Sequence, residues 1–582
     1  MNFYKRSRIM KTVETLFETW NSCQTLPENL QADMRALAED ADKKYDAFYQ
    51  PLEFGTAGMR GILGAGINRM NIYTVRQATE GLSQLILEKG EEAKERGVVI
   101  AYDSRHQSPE FALETARVLA HHGIKAYVFE SLRPTPTLSF AVRELNCIAG
   151  VMITASHNPA AYNGYKIYVE DGGQMPPQDA DAVTRFVRAV ENPLELEVAD
   201  EQHELIETFG EKLDARYLEE MSRVTINHEL VASVGKDLKL VYTPLHGTGK
   251  MLGERALKQA GYDSFVIVPE QAEGDPDFST VKSPNPEEYS AFEYAIRLGK
   301  EEEADLLLAT DPDADRLGAA VRMPDGEYTI LTGNQIAAIM LHYILTAHRD
   351  AQTLPQNGVA LKSIVSSEMA TAIAKDFDIE MVDVLTGFKF IAEKIKEYEA
   401  TGEKTFLFGF EESYGYLIQD FARDKDAIQA LVLLAEIAAY YKAENKTMYD
   451  ALQELFETYG YFIEETISVT MDGAEGSEKI KALMRDTRAE GIQSFGDKKV
   501  VVTQDFQTQK ATTNEGQVSD ITLPQANVLK YLLEDGSWVA IRPSGTEPKI
   551  KFYIGVQGEE RDVAQAKLDD IKADIQRLVE KH

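Results

Sequence analysis

The sequence predicts an α/β protein of several domains that ends in a smaller α+β domain. Three observations predict it. Short apolar, β-branched or aromatic runs alternate with amphipathic segments over most of the chain. Each run ends in a polar or Gly-rich turn, and past about residue 455 the pattern changes to Thr/Val-rich strands closed by a charged helix. At 582 residues and roughly 150 residues per domain, about four domains are expected.

The elements follow in order. Lys11 to Phe48 is charge-rich and reads as helical. Gly97-Val-Val-Ile-Ala-Tyr102, Ile148-Ala-Gly-Val-Met-Ile153, Leu238-Lys-Leu-Val-Tyr242, Asp305-Leu-Leu-Leu-Ala309 and Thr405-Phe-Leu-Phe408 read as buried strands. Ile336–Leu345 and Ala430–Tyr441 are the most apolar stretches, interrupted by His342 and Glu436. Both fall short of the roughly 20 residues that span a bilayer. Asp562–Lys581 reads as the closing helix. The acidic Glu191–Glu207 region, the Met323-Pro-Asp-Gly turn and the stretch Glu444–Met448 mark expected boundaries. They give domains at 1–205 (with the helical extension), 206–323, 324–455 and 456–582.

Composition narrows the function. With 44% apolar and 27% charged residues the chain is globular, and disorder is excluded. A net charge of −34 argues against nucleic acid and anionic membranes as partners. Cys23 and Cys147 are too few for a disulfide framework, and Thr12 and Glu14 stand where a signal peptide would need apolar residues. A cytoplasmic protein is expected.

Several of the polar loops follow strands, where α/β sheets gather ligands. Asp311-Pro-Asp313-Ala-Asp315-Arg316 sets three carboxylates at alternate positions, a donor set for a hard cation such as Mg²⁺. An EF-hand fails, because Arg316 and Arg322 stand where that loop needs Gly and Glu. Thr154-Ala-Ser156-His157-Asn158-Pro159 exposes Ser156 on a turn, although side chains of adjacent strand residues diverge and Ser/His adjacency alone says little. Tyr162-Asn163-Gly164-Tyr165-Lys166 then returns a lysine to the same place. Arg542-Pro-Ser544-Gly545-Thr546-Glu547-Pro-Lys549 offers N–H, O–H and cationic groups to a dianion. Walker A is excluded, since His246-Gly-Thr-Gly-Lys250 lacks its first glycine, and the same stretch misses G-x-G-x-x-G by one residue. Gly409-Phe-Glu411-Glu412-Ser413-Tyr414-Gly415 carries groups suited to sugar hydroxyls. Phosphate-compatible groups recur at Gly55–Gly61, Asp103-Ser-Arg105, Thr386-Gly-Phe-Lys389 and Arg423-Asp-Lys425-Asp426.

In this order and spacing, TASHNP with NGYK, DPDADR, the EES loop and RPSGTEP resemble the α-D-phosphohexomutase superfamily, and most closely its long bacterial α-phosphoglucomutases. The resemblance runs from about Phe54 to Tyr553. It implies three related α/β domains and a smaller fourth around a central cleft. The first would carry the phosphoserine loop, the second the metal loop, the third the sugar loop and the fourth a phosphate-binding loop. It implies a phosphoserine at Ser156, and Mg²⁺ held by Asp311, Asp313, Asp315 and a phosphoserine oxygen. Glu411 and Ser413 would grip sugar hydroxyls. Arg542, Ser544, Gly545 and Thr546 would hold the phosphate that is not reacting, helped by Lys389. Arg60, His157, Lys166 and Arg316 would line the reaction centre, with Lys425 in the substrate-binding set. Either Lys166 or His157 would serve proton transfer.

The activity implied is interconversion of glucose 1-phosphate and glucose 6-phosphate through glucose 1,6-bisphosphate, which also acts as activator. The partner is then a small phosphosugar and the protein a monomer or homodimer. Phe410 departs from the family pattern, standing where many relatives have a second Gly, and bears on the backbone of the sugar loop. Phosphopentomutase or phosphomannomutase activity is the alternative within the superfamily. A sugar-phosphate sensor without turnover is the alternative outside enzymology, and Ser156 argues against it because a sensor needs no phosphoryl acceptor.

Overall fold

The structure is a computed structural model that describes residues 3–52, 58–471, 473–544 and 549–581. The chain divides into two compact units. The first comprises Met1–Ala320, Gly326–Ile330 and Gly415–Ala439; the second comprises Val321–Asp325, Leu331–Tyr414 and Tyr440–His582.

The first unit opens with helices Phe3–Ser22, Glu28–Glu39 and Ala41–Phe48. Val13, Phe17, Trp20, Leu30 and Met34 recur at helical spacing and bury one face together with Phe48 and Tyr73. Trp20 meets Phe48 and Tyr73 edge to face at 5.8 and 5.6 Å, contacts worth about 0.5–1.5 kcal/mol each beyond area burial. Asp33 accepts the Ala65 N–H at 3.1 Å, which fastens this helical layer to the loop after strand Met59–Ile62.

A six-stranded sheet follows, in the order Met59–Ile62, Tyr162–Val169, Ala149–Ile153, Val98–Tyr102, Ala126–Phe129, Ile206–Phe209. The last four are parallel, and Tyr162–Val169 runs antiparallel to both its neighbours. Val98, Ile100, Val151 and Ile153 are buried against Leu82, Phe111 and Leu119 of flanking helices. That is the pattern expected of strands covered by helices. The second sheet has the order Tyr328–Ile330, Leu317–Arg322, Leu306–Thr310, Leu240–Thr243, Phe265–Ile267.

In the second unit, parallel strands Glu380–Val384, Gly358–Ser363 and Thr405–Glu411 form a third sheet. Its C-terminal part is an antiparallel sheet in the order Tyr461–Thr470, Lys549–Gly558, Trp538–Pro543, Leu529–Leu533, Lys498–Asp505, Lys510–Thr513, Val518–Asp520. Helices Gly473–Glu490 and Arg561–Glu580 bury Ile480, Leu483, Leu568 and Ile571 against one face of it.

The two apolar stretches are helices Gly333–Asp350 and Ala427–Ala443, and each interrupting polar residue has a structural use. Glu436, fully buried, accepts the N–H groups of Ile226 at 3.0 Å and Asn227 at 2.7 Å, where helix His228–Val234 begins. His342 stands edge-on to Phe377 at 5.9 Å, and burial holds its imidazole below the usual range. Among the described residues no helix is long and apolar enough to cross a membrane.

Candidate active site

Strand Ala149–Ile153 delivers the chain into the Ser156 loop. The Ser156 N–H donates to Thr154 Oγ1 at 2.8 Å, and the residue adopts a left-handed backbone, φ +53°. That conformation is uncommon for serine. It brings Ser156 Oγ to 3.3 Å from His157 Nδ1, so the two side chains converge where strand geometry would have separated them. Gly164 on the adjoining strand permits the close approach, since a Cβ there would stand 2.4 Å from Thr154 O and 2.8 Å from Met59 O. Arg60 lies opposite Gly164 in register and donates from Nη1 to Asn158 Oδ1 at 3.0 Å.

Strand Leu306–Thr310 delivers the second loop. A left-handed Ala314, φ +50°, turns the chain back, and Ala314 N–H donates to Asp311 O at 2.9 Å. The turn converges Asp311, Asp313 and Asp315, all buried, with one carboxylate oxygen of each within 4.8 Å of the others. Ser156 Oγ donates to Asp311 Oδ2 at 2.9 Å, which joins the two loops. Asp311 Oδ1 accepts the Arg316 N–H at 3.0 Å. Asp313 Oδ2 accepts from Thr135 Oγ1 at 2.8 Å and Lys166 Nζ at 2.9 Å. Lys425 Nζ stands 3.2 Å from Asp315 Oδ2 and 3.0 Å from Asp424 Oδ1. Arg316 pairs with Glu287 at 3.1 Å.

Two atoms are left over. Asp313 Oδ1 and Asp315 Oδ1 are buried without a hydrogen-bond partner. A buried carboxylate oxygen in that state is costly unless a cation or donor meets it. Three carboxylates and a hydroxyl form an oxygen donor set of the kind hard divalent cations take, so the residues fit a metal. The electrostatics agree. Burial together with the charges of Asp313 and Asp315 pushes Asp311 well above the usual carboxylate range. Asp313 is buried too, but the Lys166 ammonium holds it below that range. Burial, then Arg316 and Arg60, hold the His157 imidazole well below its ordinary value, which keeps it neutral.

The second unit brings together a different set. Lys389 lies in the first turn of helix Phe388–Thr401; burial and nearby Arg542 lower its ammonium from the usual value. Burial, with Glu412 close by, pushes the Tyr553 phenol up to about 12, against the opposing influence of Arg542. Glu411 Oε1 accepts the Gly387 N–H at 2.7 Å, at a glycine with φ +121°. Its neighbour Glu412 is bound instead by Ser363 Oγ at 2.8 Å and Ser366 Oγ at 3.3 Å. Ser413 is half-buried on the same turn. Ser544 N–H donates to Lys549 O at 2.7 Å, while Gly545 and Thr546 lie outside the described residues, as do Gly55, Thr56 and Ala57 of the Gly55–Gly61 stretch. Phe410 packs inward against Phe408, rings 5.6 Å apart, so the departure from the family pattern is accommodated in the core.

Thr135 was not legible as a site residue; its only sequence signal is a position beside Pro134 and Pro136 at a helix start. The expected phosphate-compatible role of Arg105 does not hold, because its donors are directed at backbone carbonyls.

Comparison with known proteins gives the same frame. Residues 51–193, 215–324 and 332–459 match alpha/beta/alpha domains I, II and III of phosphoglucomutase/phosphomannomutase, and residues 484–574 match its C-terminal domain. A phosphoglucomutase of Staphylococcus epidermidis is 40% identical over 537 residues, covering 91% of this chain and 95% of its own. One from Staphylococcus haemolyticus is 40% identical over 513 residues, covering 88% and 91%. Among solved structures, the open form of the Paramecium phosphoglucomutase parafusin aligns with a TM-score of 0.65 at 18% identity, covering 91% of this chain and 95% of that one. A phosphoglucomutase/phosphomannomutase family protein from Burkholderia thailandensis gives 0.63 at 19% identity, covering 90% and 97%. These two likenesses bear on the fold.

Proposed function

Because the chain belongs to the phosphoglucomutase/phosphomannomutase family, we propose that it interconverts glucose 1-phosphate and glucose 6-phosphate through a phosphoserine at Ser156 and glucose 1,6-bisphosphate. The carrying observation is the contact of Ser156 Oγ with Asp311 beside two buried carboxylate oxygens that lack hydrogen-bond partners. A phosphoryl acceptor set directly against a cation site is what phosphoryl transfer requires. Phosphoglucomutase relatives about 40% identical favour glucose over mannose or pentose phosphates.

In the forward half, the phosphoserine P–Oγ bond breaks as O6 of glucose 1-phosphate forms a bond to phosphorus, and the proton lost from O6 is balanced by one gained at Ser156 Oγ. In the second half, after the bisphosphate has turned over, Ser156 Oγ attacks the phosphorus on O1 as the P–O1 bond breaks; Ser156 loses its proton and O1 gains one, which leaves glucose 6-phosphate. We assign the proton lost by Ser156 to His157, whose Nδ1 lies 3.3 Å from Ser156 Oγ and whose imidazole is held well below its ordinary value, with Lys166 as the other candidate. Lys166 and Arg60 meet the charge of the transferring group, with Arg316 beside them. Mg²⁺ held by Asp311, Asp313 and Asp315 with a phosphoserine oxygen would neutralise phosphoryl charge. Glu411 and Ser413 take sugar hydroxyls; Arg542, Ser544, Gly545 and Thr546, with Lys389 and Lys425, take substrate phosphate.

We place the domain limits at 205, 323 and 455 and propose a monomer or homodimer; two free cysteines, one of them buried, support placing the enzyme in the cytoplasm. Rates on glucose 1-phosphate, mannose 1-phosphate and ribose 1-phosphate, with Mg²⁺ and trace glucose 1,6-bisphosphate, test the proposal. Preference for glucose is expected, and a strong preference for either other sugar overturns it.

A further inference from the structure

Arg105 is fully buried and four of its five N–H groups donate to backbone carbonyls. A guanidinium has five N–H donors in a fixed fork. Nη2 donates to the carbonyls of Ser156 at 2.6 Å and Asn158 at 2.5 Å. Nη1 donates to those of Pro159 at 2.9 Å and Tyr162 at 3.0 Å. Nε faces Asp103 Oδ2 at 3.2 Å. Phe278 lies against the guanidinium at 5.0 Å. Nε makes no hydrogen bond but is buried against the Asp103 carboxylate, and both Nη atoms are spent on carbonyls, so the work of this arginine is done on the chain.

Asp103 continues the network. One carboxylate oxygen accepts Arg105 N–H at 3.0 Å and Ser108 Oγ at 2.8 Å; the other accepts Thr154 Oγ1 at 2.6 Å. Thr154 Oγ1 in turn accepts the Ser156 N–H at 2.8 Å. The amide and the carbonyl of Ser156 therefore both end on one buried ion pair, by way of Thr154 on one side and directly on the other. Ser283 Oγ holds the remaining carbonyl of the turn, that of His157, at 3.2 Å.

The energetics say what such a pair is for. Burial works against both charges, raising Asp103 and lowering Arg105 from their usual values, and a buried ion pair is a poor source of stability compared with apolar packing. What it supplies is geometry. A left-handed non-glycine residue persists where its surroundings over-determine it, and Ser156 at φ +53° is such a residue. The carbonyls gathered at Arg105 are also kept off Ser156 Oγ, where their negative ends would oppose a phosphoryl dianion.

We propose that Arg105, through its pair with Asp103, is the positioning residue of the nucleophile. It fixes the backbone of 154–162 so that Ser156 Oγ meets both the incoming phosphoryl group and Asp311. The proposal rests on Ser156 being the phosphoryl acceptor. Displacing a reacting group by about 1 Å costs roughly 100-fold in rate, and lysine, with three donors on one point, cannot span four carbonyls.

Arg105→Lys is expected to lower kcat on the order of 100-fold. KM for glucose 1-phosphate should stay within about threefold, and phosphate uptake onto Ser156 from glucose 1,6-bisphosphate, followed by intact-protein mass, should slow in parallel. Thr154→Val, which deletes the hydroxyl between Ser156 N–H and Asp103, should lose about tenfold or more in kcat. Thr154→Ser should restore it. If Arg105→Lys does not fold, the Thr154 pair decides. Wild-type-like kcat and Ser156 phosphorylation in Arg105→Lys and Thr154→Val overturn the inference, as does a loss matched by an equal loss of folded protein in thermal denaturation. Wild-type protein in the same assay separates the two readings: if it takes no phosphate on Ser156, the proposed function fails first.

Discussion

Each unit of the molecule buries a cluster of ionised side chains, and the two clusters are finished differently. In the first unit Asp311, Asp313 and Asp315 meet Ser156, Lys166 and Lys425 and still leave Asp313 Oδ1 and Asp315 Oδ1 without hydrogen bonds, the latter with only Arg316 Nε at 3.9 Å. In the second, Lys362, wholly buried, sits between Glu368 at 3.1 Å and Asp383 at 3.0 Å. Lys530 beside them donates to Ile364 O at 2.7 Å and lies over Trp538 at 4.8 Å. Both clusters lose hydration, but only the first has carboxylate oxygens over. An incomplete buried cluster marks a place for a ligand, whereas a completed one marks a joint in the fold.

Four experiments can break or sharpen that contrast. The largest effect is expected from Ser156→Ala, which should lower turnover on the order of 10⁴-fold or more while leaving substrate binding measurable by calorimetry; near-normal turnover would defeat the phosphoenzyme reading. Asp313→Asn comes next, with kcat falling on the order of 10²–10³-fold. Chelation of the wild type should have the same effect, reversed by added Mg²⁺. Mg²⁺ at a hundred times its Kd should add about 2.7 kcal/mol to wild-type stability, readable as a rise in melting temperature that Asp313→Asn loses. Lys362→Met should leave that metal response intact and cost about 3–5 kcal/mol in denaturant unfolding. A loss of metal response there would mean that the clusters are not distinct in kind.

The smallest effect concerns pH. Burial pushes Glu464, near Ser367 and Glu368, up to about 7. Its folded value lies above its unfolded one, so this contribution to stability is full below pH 4.5 and is lost as pH rises through about 7. Glu464→Gln should therefore match the wild type in acid and exceed it at pH 8 by about 3 kcal/mol. An equal gain at both pH values would assign the effect to packing.

Much of this was legible in the sequence where one residue type does one job. The strands before Thr154 and Asp311 were readable from their apolar runs, and alternate aspartates predicted convergence on one point. Other features were not readable, for physical reasons. Arg105 acts on backbone carbonyls, which carry no side-chain signature, so its sequence context looked like a phosphate contact. The meeting of Ser156 and His157 depends on a left-handed φ that no propensity foretells for serine. Glu411 and Glu412 are neighbours of one type, and only the turn separates a carboxylate bound to Gly387 N–H from one tied to Ser363 and Ser366.

Gly415–Ala439 belongs to the first unit although the chain has by then built most of the third sheet. It brings Lys425 to Asp315, Asp424 to Tyr168 at 2.7 Å, Asp426 to Tyr217 at 2.7 Å, and Glu436 to the start of helix His228–Val234. During synthesis, then, the first 330 residues leave the ribosome with Tyr168, Tyr217 and the Ile226 amide still awaiting partners some 200 residues away in sequence. Domains tend to fold as units, N-terminal first, but here the earliest unit is also among the last to be finished. A ribosome stalled before residue 415 holds the Asp311, Asp313 and Asp315 cluster in a unit that is not yet whole.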